Sequence, residues 1–172
     1  ERIKVLSVDS EPTMQNQAKQ SLQAWVNEGR LSFDGQDALT VLKQTETASL
    51  DFIASAYTLH NFLNDYRAEV MAEIYRVLKP QGYFINGDRY GLDDISQHTR
   101  LIQQEVNGYF KALIAINKLD VLEHWIVHLF CDESENHVMR ETPALQQLQH
   151  VGFQHINLNH REAVNALVTA QK

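Results

Sequence analysis

Four polar positions that could contact a ligand each follow a short apolar run of the sequence. They are Asp9, Asp37, the segment 55–60 with His60 at its end, and Asp88. Short runs rich in apolar and β-branched residues are typical of buried parallel strands. Ligands of parallel α/β sheets bind outside the carboxyl ends of the strands. The sequence therefore predicts that these four positions lie on one rim of a sheet.

The residue types at this rim suggest nucleotide binding and proton transfer. An aspartate at the end of a strand, such as Asp9, can accept hydrogen bonds from the hydroxyls of a nucleotide ribose, although it could equally cap a helix. His60 could act as a base or orient a substrate, or it could simply pack beneath a covering helix. The run Asp88-Arg89-Tyr90 could contact a substrate or a carboxylate on it, or form a solvated loop.

A second group of polar residues lies further along the chain. His124 and His128 are four residues apart on a predicted helix, a spacing that allows two imidazoles to share one metal ion. No third ligand is evident in the sequence, so we predict no metal centre. We expect His124, Trp125 and His128 to line the lid of a substrate pocket, with exposure to solvent as the alternative for the two histidines.

Strand-like and helical segments alternate through the first half of the chain. We predict strands at 3–8, 31–33, 50–56 and from 83, with helices between them. Ser10 is the expected cap of the first helix, and Asn64 that of a later one. Helical spacing groups Met14, Ala18, Leu22 and Trp25 into one apolar stripe, and Tyr66, Val70, Ile74, Val77 and Leu78 into another. Such alternation predicts a mainly parallel α/β sheet with helices on both faces.

The second half of the chain has a different pattern. Long helical stripes occupy about 93–130, and a helix from Pro143 precedes two final strands at 156–158 and 163–169. We therefore predict a single domain over 1–172, with a helical cover inserted at 93–140 and an antiparallel strand pair at its end. The predicted fold is therefore α/β.

Composition excludes several classes of protein. The net charge is −7, and no basic patch is evident, which argues against nucleic acid as a partner. Cys131 is the only cysteine, so the chain can form neither an internal disulfide nor a CxxC metal site. No apolar run approaches the roughly 20 residues that span a bilayer. A cytoplasmic protein without membrane association is the expectation, and a homodimer is possible.

Five segments resemble, in order, the motifs of class I S-adenosylmethionine-dependent methyltransferases. They are 8–14 (VDSEPTM), 33–39 (FDGQDAL), 50–62 (LDFIASAYTLHNF), 74–84 (IYRVLKPQGYF) and 148–153 (LQHVGF). The Arg-Val-Leu-Lys-Pro sequence before a strand is the most specific of these. Gln81 replaces the first glycine of the usual Lys-Pro-Gly-Gly turn.

The resemblance implies S-adenosylmethionine as cofactor and a Rossmann-like methyltransferase sheet. It implies that Asp9 contacts the ribose and Asp37 the adenine. Further cofactor contacts would come from Ser10, Met14, Ala38, Ser55, Ala56 and Tyr57. His60 would serve catalysis, and Asp88, Arg89, Tyr90, His124, Trp125 and His128 would contact a small-molecule acceptor. Methyl transfer is an in-line displacement that depends mainly on proximity and alignment.

One family motif has no counterpart in the sequence, namely the first strand with its glycine-rich loop. We expect the native protein to carry an N-terminal extension of about 40–80 residues, given usual domain sizes. Without that strand, the strands at 3–8 and 31–33 should be separated from those at 50–56 and 83–86. Three other functions stay open: a non-catalytic methyltransferase-like partner subunit, a carboxy-S-adenosylmethionine synthase-like enzyme, and a nicotinamide-dependent enzyme.

Overall fold

The computed structural model of the protein describes residues 3–172, which contain six strands. The predicted order of strands and helices is confirmed, and most boundaries differ by only a few residues. The strands are β1 (Val5–Val8), β2 (Leu31–Asp34), β3 (Leu50–Ala56), β4 (Leu78–Arg89), β5 (Gln154–Glu162) and β6 (Asn165–Gln171).

Seven α-helices connect these strands within the described residues. Two long helices lie between β4 and the last helix, where the sequence predicts a helical cover. Leu63, and not Asn64, is the N-cap of the fourth helix. The helices are α1 (Pro12–Ser21), α2 (Gln23–Asn27), α3 (Ala38–Gln44), α4 (Asn64–Val77), α5 (Ile95–Ala115), α6 (Leu119–Asp132) and α7 (Glu141–Val151), and a 3₁₀ helix covers Leu59–Asn61.

The strands of residues 3–172 form two sheets. β1 and β2 pair in parallel, and the other sheet has the order β3-β4-β6-β5. β3 and β4 are parallel, whereas β6 is antiparallel to both β4 and β5. The predicted separation of β1 and β2 from the other strands and the antiparallel ending are both confirmed. Parallel and antiparallel pairings are equal in number, so "mainly parallel" was wrong.

The predicted turn before Tyr83 is incorporated into the long strand β4. Gln81 has a φ of +67°, which a side chain disfavours and a glycine accepts. At Gly82, an added Cβ would lie 2.9 Å from the carbonyl oxygen of Lys79 and 3.1 Å from that of Asp51. The family-like turn is therefore preserved with its second glycine, the one that close packing requires, while Gln81 takes a strained conformation.

The hydrophobic core lies between α4, α7 and the four-stranded sheet. Val70 and Ile74 on α4 are almost fully buried, as the predicted stripe requires, and they belong to one cluster with Phe84, Leu148 and Phe153. β4 supplies the middle of this core because it pairs with a strand on each side. Its carboxyl end, beneath α6, is thereby held in a fixed position.

The predicted apolar stripe of α1 does not face a core. Met14, Leu22 and Trp25 are 57%, 41% and 49% exposed, and Gln15 is the buried residue of α1. The Gln15 amide donates a hydrogen bond to the Asp34 carbonyl oxygen at 2.5 Å and so ties α1 to β2. The predicted single helix is divided at Leu22 into α1 and α2, which share the stripe, and within residues 3–172 no layer covers this face.

A helix that crosses a bilayer must be both long and apolar. None of the helices described in residues 3–172 combines the two properties needed to cross a membrane.

Candidate functional site

Asp9 lies where β1 ends and is exposed to solvent. Its Oδ1 accepts a hydrogen bond from the Glu11 amide at 2.9 Å, and the Asp9 amide donates to the Asp34 carbonyl oxygen at 3.2 Å. Glu11, and not the predicted Ser10, caps α1, since its carboxylate accepts from the Thr13 amide at 3.0 Å. Asp9 is thus held at the end of β1 by the turn that follows it.

The side chain of Asp37 caps α3. Its Oδ1 accepts hydrogen bonds from the Thr40 amide at 3.0 Å and from the Tyr66 hydroxyl at 2.9 Å. The hydrogen bonds from Thr40 and then from Tyr66 lower the pKa of Asp37 from 3.8 to about 2. The Tyr66 hydroxyl also accepts from the Leu39 amide at 3.3 Å. Tyr66 therefore fastens the Asp37 segment to α4.

Replacing Tyr66 with phenylalanine should raise the pKa of Asp37 toward its ordinary value of 3.8, because one hydrogen bond to the carboxylate is lost. A carboxyl whose pKa is lowered by folding stabilises the fold at a pH above its ordinary value. That stabilisation disappears as the pH falls through about 2. Titration of the Asp37 carboxyl carbon by NMR checks this, with Tyr83→Phe, at an exposed position of β4, as control. An unchanged Asp37 pKa in Tyr66→Phe would contradict it.

The carboxyl end of β3 and the residue after it combine an unpaired polar atom with backbone strain. Tyr57 has a φ of +47° and is 59% exposed, and its amide donates to the Gly87 carbonyl oxygen at 2.9 Å. The buried Ser55 hydroxyl has no hydrogen-bond partner among the described residues. Strained backbone and unpaired polar groups concentrate at functional sites. Both features occur in the segment that the sequence assigned to cofactor binding, whose other member, Ala56, is exposed.

His60 lies on the 3₁₀ helix and is only 5% exposed. Its Nδ1 is 2.5 Å from Oδ1 of Asp88, which lies near the end of β4 and is 1% exposed. The other carboxylate oxygen of Asp88 accepts from the Leu59 amide at 2.9 Å. A buried imidazole–carboxylate pair is thereby held between the 3₁₀ helix and β4. His60 packs beneath the cover, which was the second interpretation offered by the sequence.

Arg89 and Tyr90 are not in a solvated loop, so that alternative is corrected. The Arg89 guanidinium bonds Glu105 on α5 at 2.8 Å and Glu133 at 3.1 Å. Burial alone would lower the pKa of Arg89, but these two carboxylates raise it overall. Tyr90 is 2% exposed, and its hydroxyl accepts a hydrogen bond from the side-chain amide of Asn86 at 2.8 Å. Both side chains thus have protein partners beneath the cover.

The three predicted residues on α6 form an aromatic row. The His124 and His128 rings are stacked with centroids 6.5 Å apart, and Trp125 meets His128 edge-on at 6.2 Å. The His60 ring lies 6.4 Å from that of His128. Tyr109 on α5 is 5.8 Å from Trp125. His128 alone of the two predicted lid histidines therefore approaches His60.

Four ionisable residues near His60 and His128 were not predicted from the sequence. His98 Nε2 is 2.5 Å from a carboxylate oxygen of Glu133, and Asp132 lies within 4 Å of His60, Arg89 and His128. Asp132 is four residues after His128, a spacing that could have indicated it. No sequence signal distinguishes the fourth residue, Glu105, from the solvated acids of an amphipathic helix.

Comparison with known proteins identifies a family for the first half of the chain. The model of the family described as "Methyltransferase domain" matches residues 2–86, from the segment before β1 to the middle of β4. The chain belongs to the class I S-adenosylmethionine-dependent methyltransferases. A demethylmenaquinone methyltransferase of Leptospira interrogans is 36% identical over 84 residues. That alignment covers 49% of this chain and 32% of the relative, so it spans about a third of the relative's length.

Solved structures with the methyltransferase fold resemble the whole chain. An O-methyltransferase family protein from Burkholderia thailandensis has a TM-score of 0.66 at 16% identity. The match covers 98% of this chain and 43% of the chain of that protein. The N-methyltransferase NodS from Bradyrhizobium japonicum WM9, solved with S-adenosyl-L-homocysteine, has a TM-score of 0.56 at 15% identity. It covers 98% of this chain and 65% of its own. At these identities the likeness concerns the fold.

Proposed function

We propose that the protein transfers a methyl group from S-adenosylmethionine to a small-molecule acceptor. The proposal rests on one observation, namely that polar residues lie at the carboxyl ends of three strands. Asp9 follows β1, Asp37 follows β2, and residues 55 and 56 form the carboxyl end of β3, with the strained Tyr57 just beyond it. In α/β sheets, nucleotides bind at the carboxyl ends of strands. Membership in the methyltransferase family and a relative solved with S-adenosyl-L-homocysteine support the choice of cofactor.

In this proposal Asp9 binds the ribose and Asp37 the adenine. Asp9 uses Oδ1 to accept one backbone amide, which leaves its carboxylate further lone pairs for ribose hydroxyls. The Asp37 carboxylate is held ionised by Thr40 and Tyr66, so it can also accept from an amino group. Ser10, Met14 and Ala38, which adjoin these two aspartates in sequence, would complete the contacts. The exposed positions of Ser10 and Met14 are compatible with this.

The acceptor is proposed to bind between the segment after β3 and the cover, residues 93–140. His60, with Asp88 behind it, would face the acceptor from the sheet, and Trp125 would supply an aromatic wall from α6. Because His60 is only 5% exposed, the acceptor can reach it only if α6 moves. Opening of the cover is therefore part of the proposal.

Calorimetric titration of S-adenosyl-L-homocysteine into protein from the complete reading frame tests the cofactor assignment, with NADH as the control ligand. Binding of the first ligand alone supports the methyltransferase. Binding of NADH alone would replace it with a nicotinamide-dependent enzyme. Absence of binding by either ligand would favour a partner subunit that has lost the chemistry.

Replacing Asp9 with alanine should weaken S-adenosyl-L-homocysteine binding by about 1.5–3 kcal/mol, the scale of hydrogen bonds to a charged group. The same titration measures it. Asp51→Ala is the matched control, because Asp51 is an exposed aspartate near the opposite end of β3, paired with Lys79 on the surface. Equal affinity of Asp9→Ala and the unmodified protein would remove Asp9 from the site.

A further inference from the structure

Three side chains with metal-binding atoms converge where the end of α6 lies over the 3₁₀ helix. The ligand atoms of His60, His128 and Asp132 all lie within 4.8 Å of one another. His128 Nε2 is 3.6 Å from Oδ1 of Asp132, and His60 Nε2 is 3.8 Å from Oδ2. We propose that these residues bind one divalent transition-metal cation, for example Zn²⁺.

The separations are close to those of a metal site. Bonds of about 2.0–2.2 Å from a tetrahedral Zn²⁺ place neighbouring ligand atoms roughly 3.4 Å apart. The two distances to Asp132 run to its two different carboxylate oxygens and exceed this value by a few tenths of an ångström, and no pair of ligand atoms in the trio is more than 4.8 Å apart. The side chain of His128 is 42% exposed, so it is free to make the remaining adjustment by rotating.

His60 is already oriented as a metal ligand. Its Nδ1 lies 2.5 Å from Oδ1 of Asp88. Because an ionised carboxylate can only accept, Nδ1 is the donor in this contact, and Nε2 is the nitrogen available to a metal. Asp88 is fixed in turn by the Leu59 amide. A carboxylate behind the far nitrogen is the usual support of a histidine that binds a metal. In the neutral ring the lone pair of Nε2 faces the carboxylate of Asp132, an arrangement that a cation between them would stabilise.

The surroundings of Asp132 independently support a cation at this position. It is 7% exposed, yet its three nearest cationic or imidazole groups in the described chain lie 3.6–3.8 Å away, beyond hydrogen-bond length. One of these is Arg89, whose guanidinium is already bound by Glu105 and Glu133. A nearly buried carboxylate is stable only with a charged or hydrogen-bonding partner. A bound cation would provide one.

The ligand set indicates the class of metal. Two imidazoles and one carboxylate suit Zn²⁺, Co²⁺ or Ni²⁺, whereas Mg²⁺ and Ca²⁺ prefer oxygen ligands alone. Three protein ligands leave a coordination position for water or for a substrate oxygen. The proposal does not depend on methyl transfer, because all three ligands belong to the described chain and the cation can be tested without cofactor.

The test uses protein without a polyhistidine tag, dialysed against a chelator and titrated with Co²⁺, whose visible absorption reports the ligands. Zn²⁺ competition measured by calorimetry gives the affinity. We expect one equivalent to bind, and His128→Ala and Asp132→Asn to weaken binding at least about tenfold, the lower limit found even for residues that only support ligands. His124→Ala is the matched control, because His124 stacks on His128 from the same helix.

Three outcomes would overturn the proposal. In the first, the unmodified protein binds Co²⁺ no more strongly than the His128→Ala variant does. Another is an equal loss in His124→Ala, which would indicate adventitious binding by surface histidines. The third is full Co²⁺ affinity in Asp132→Asn. A thermal melt of each variant without metal verifies that the compared proteins are folded. Because no cofactor is present, failure here leaves the S-adenosyl-L-homocysteine titration unaffected.

Discussion

Replacing Arg67 with alanine should lower the free energy of unfolding by about 3–5 kcal/mol, because several buried carbonyl oxygens lose a charged hydrogen-bond donor. Arg67 is 4% exposed. Its guanidinium donates to the carbonyl oxygens of Leu59 at 2.9 Å, Phe62 at 2.7 Å and His137 at 2.5 Å. Alanine would leave these acceptors without their donor. Urea unfolding followed by circular dichroism measures the change.

Arg100→Ala provides the control for Arg67→Ala. Arg100 is an exposed arginine on α5, and a surface substitution of this kind changes stability by about 0.5 kcal/mol or less. Arg67→Lys should recover part of the loss, since one ammonium cannot reach all the acceptors that the planar guanidinium serves. A loss in Arg67→Ala as small as that in Arg100→Ala would show that Arg67 does not hold the 3₁₀ helix to the segment around His137.

Replacing Asp88 with alanine should cost about 3–5 kcal/mol of stability for a related reason. The carboxylate accepts from the Leu59 amide, the Arg89 amide and the His60 ring, and it is 1% exposed. All three donors would remain buried without an acceptor. Urea unfolding measures the loss, and Asp120→Ala, at an exposed position in the first turn of α6, is the control.

Asp88→Asn separates the charge of Asp88 from its hydrogen bonds. The amide oxygen can still accept one of the donors, so the loss should be smaller than in Asp88→Ala. If alanine and asparagine were both tolerated as well as Asp120→Ala, the pair of His60 and Asp88 would not stabilise the end of β4. The NMR signals of the His60 ring, followed in both variants, would show whether its orientation depends on Asp88.

The sequence could predict the order of elements because each strand and helix carries its own local signal. β3 is apolar and bounded by polar residues, and α4 has apolar residues at helical spacing that face the core. β1 and β2 form a separate sheet from β3 and β4, so the predicted single rim was wrong. The polar residues at the strand ends could nevertheless be located, because each follows an apolar run. Asp9, His60 and Asp88 were found in this way.

Tertiary placement could not be read from the same signals. The apolar stripe of α1 indicates a helix with one apolar face, but periodicity does not reveal whether another layer covers that face. Glu105, Asp132 and Glu133 occupy positions that look like solvated acids in the sequence, yet they enclose Arg89 beneath α6. Their role depends on how α5 and α6 fold back on β4, which no local pattern records.

The exposed state of residues 3–34 has a consequence for ligand affinity. Within the described residues, Gln15 is the only buried residue of 3–34, so in these residues alone few contacts oppose local opening relative to the core around α4, whereas the strand that the family places beside β1 would oppose it. Asp9 lies within residues 3–34. A ligand held by Asp9 would therefore bind only the closed form of this unit, and its apparent affinity would scale with the closed fraction. Slow amide exchange in β2 would then report ligand binding, and a substitution in β2 could change the dissociation constant without touching the ligand.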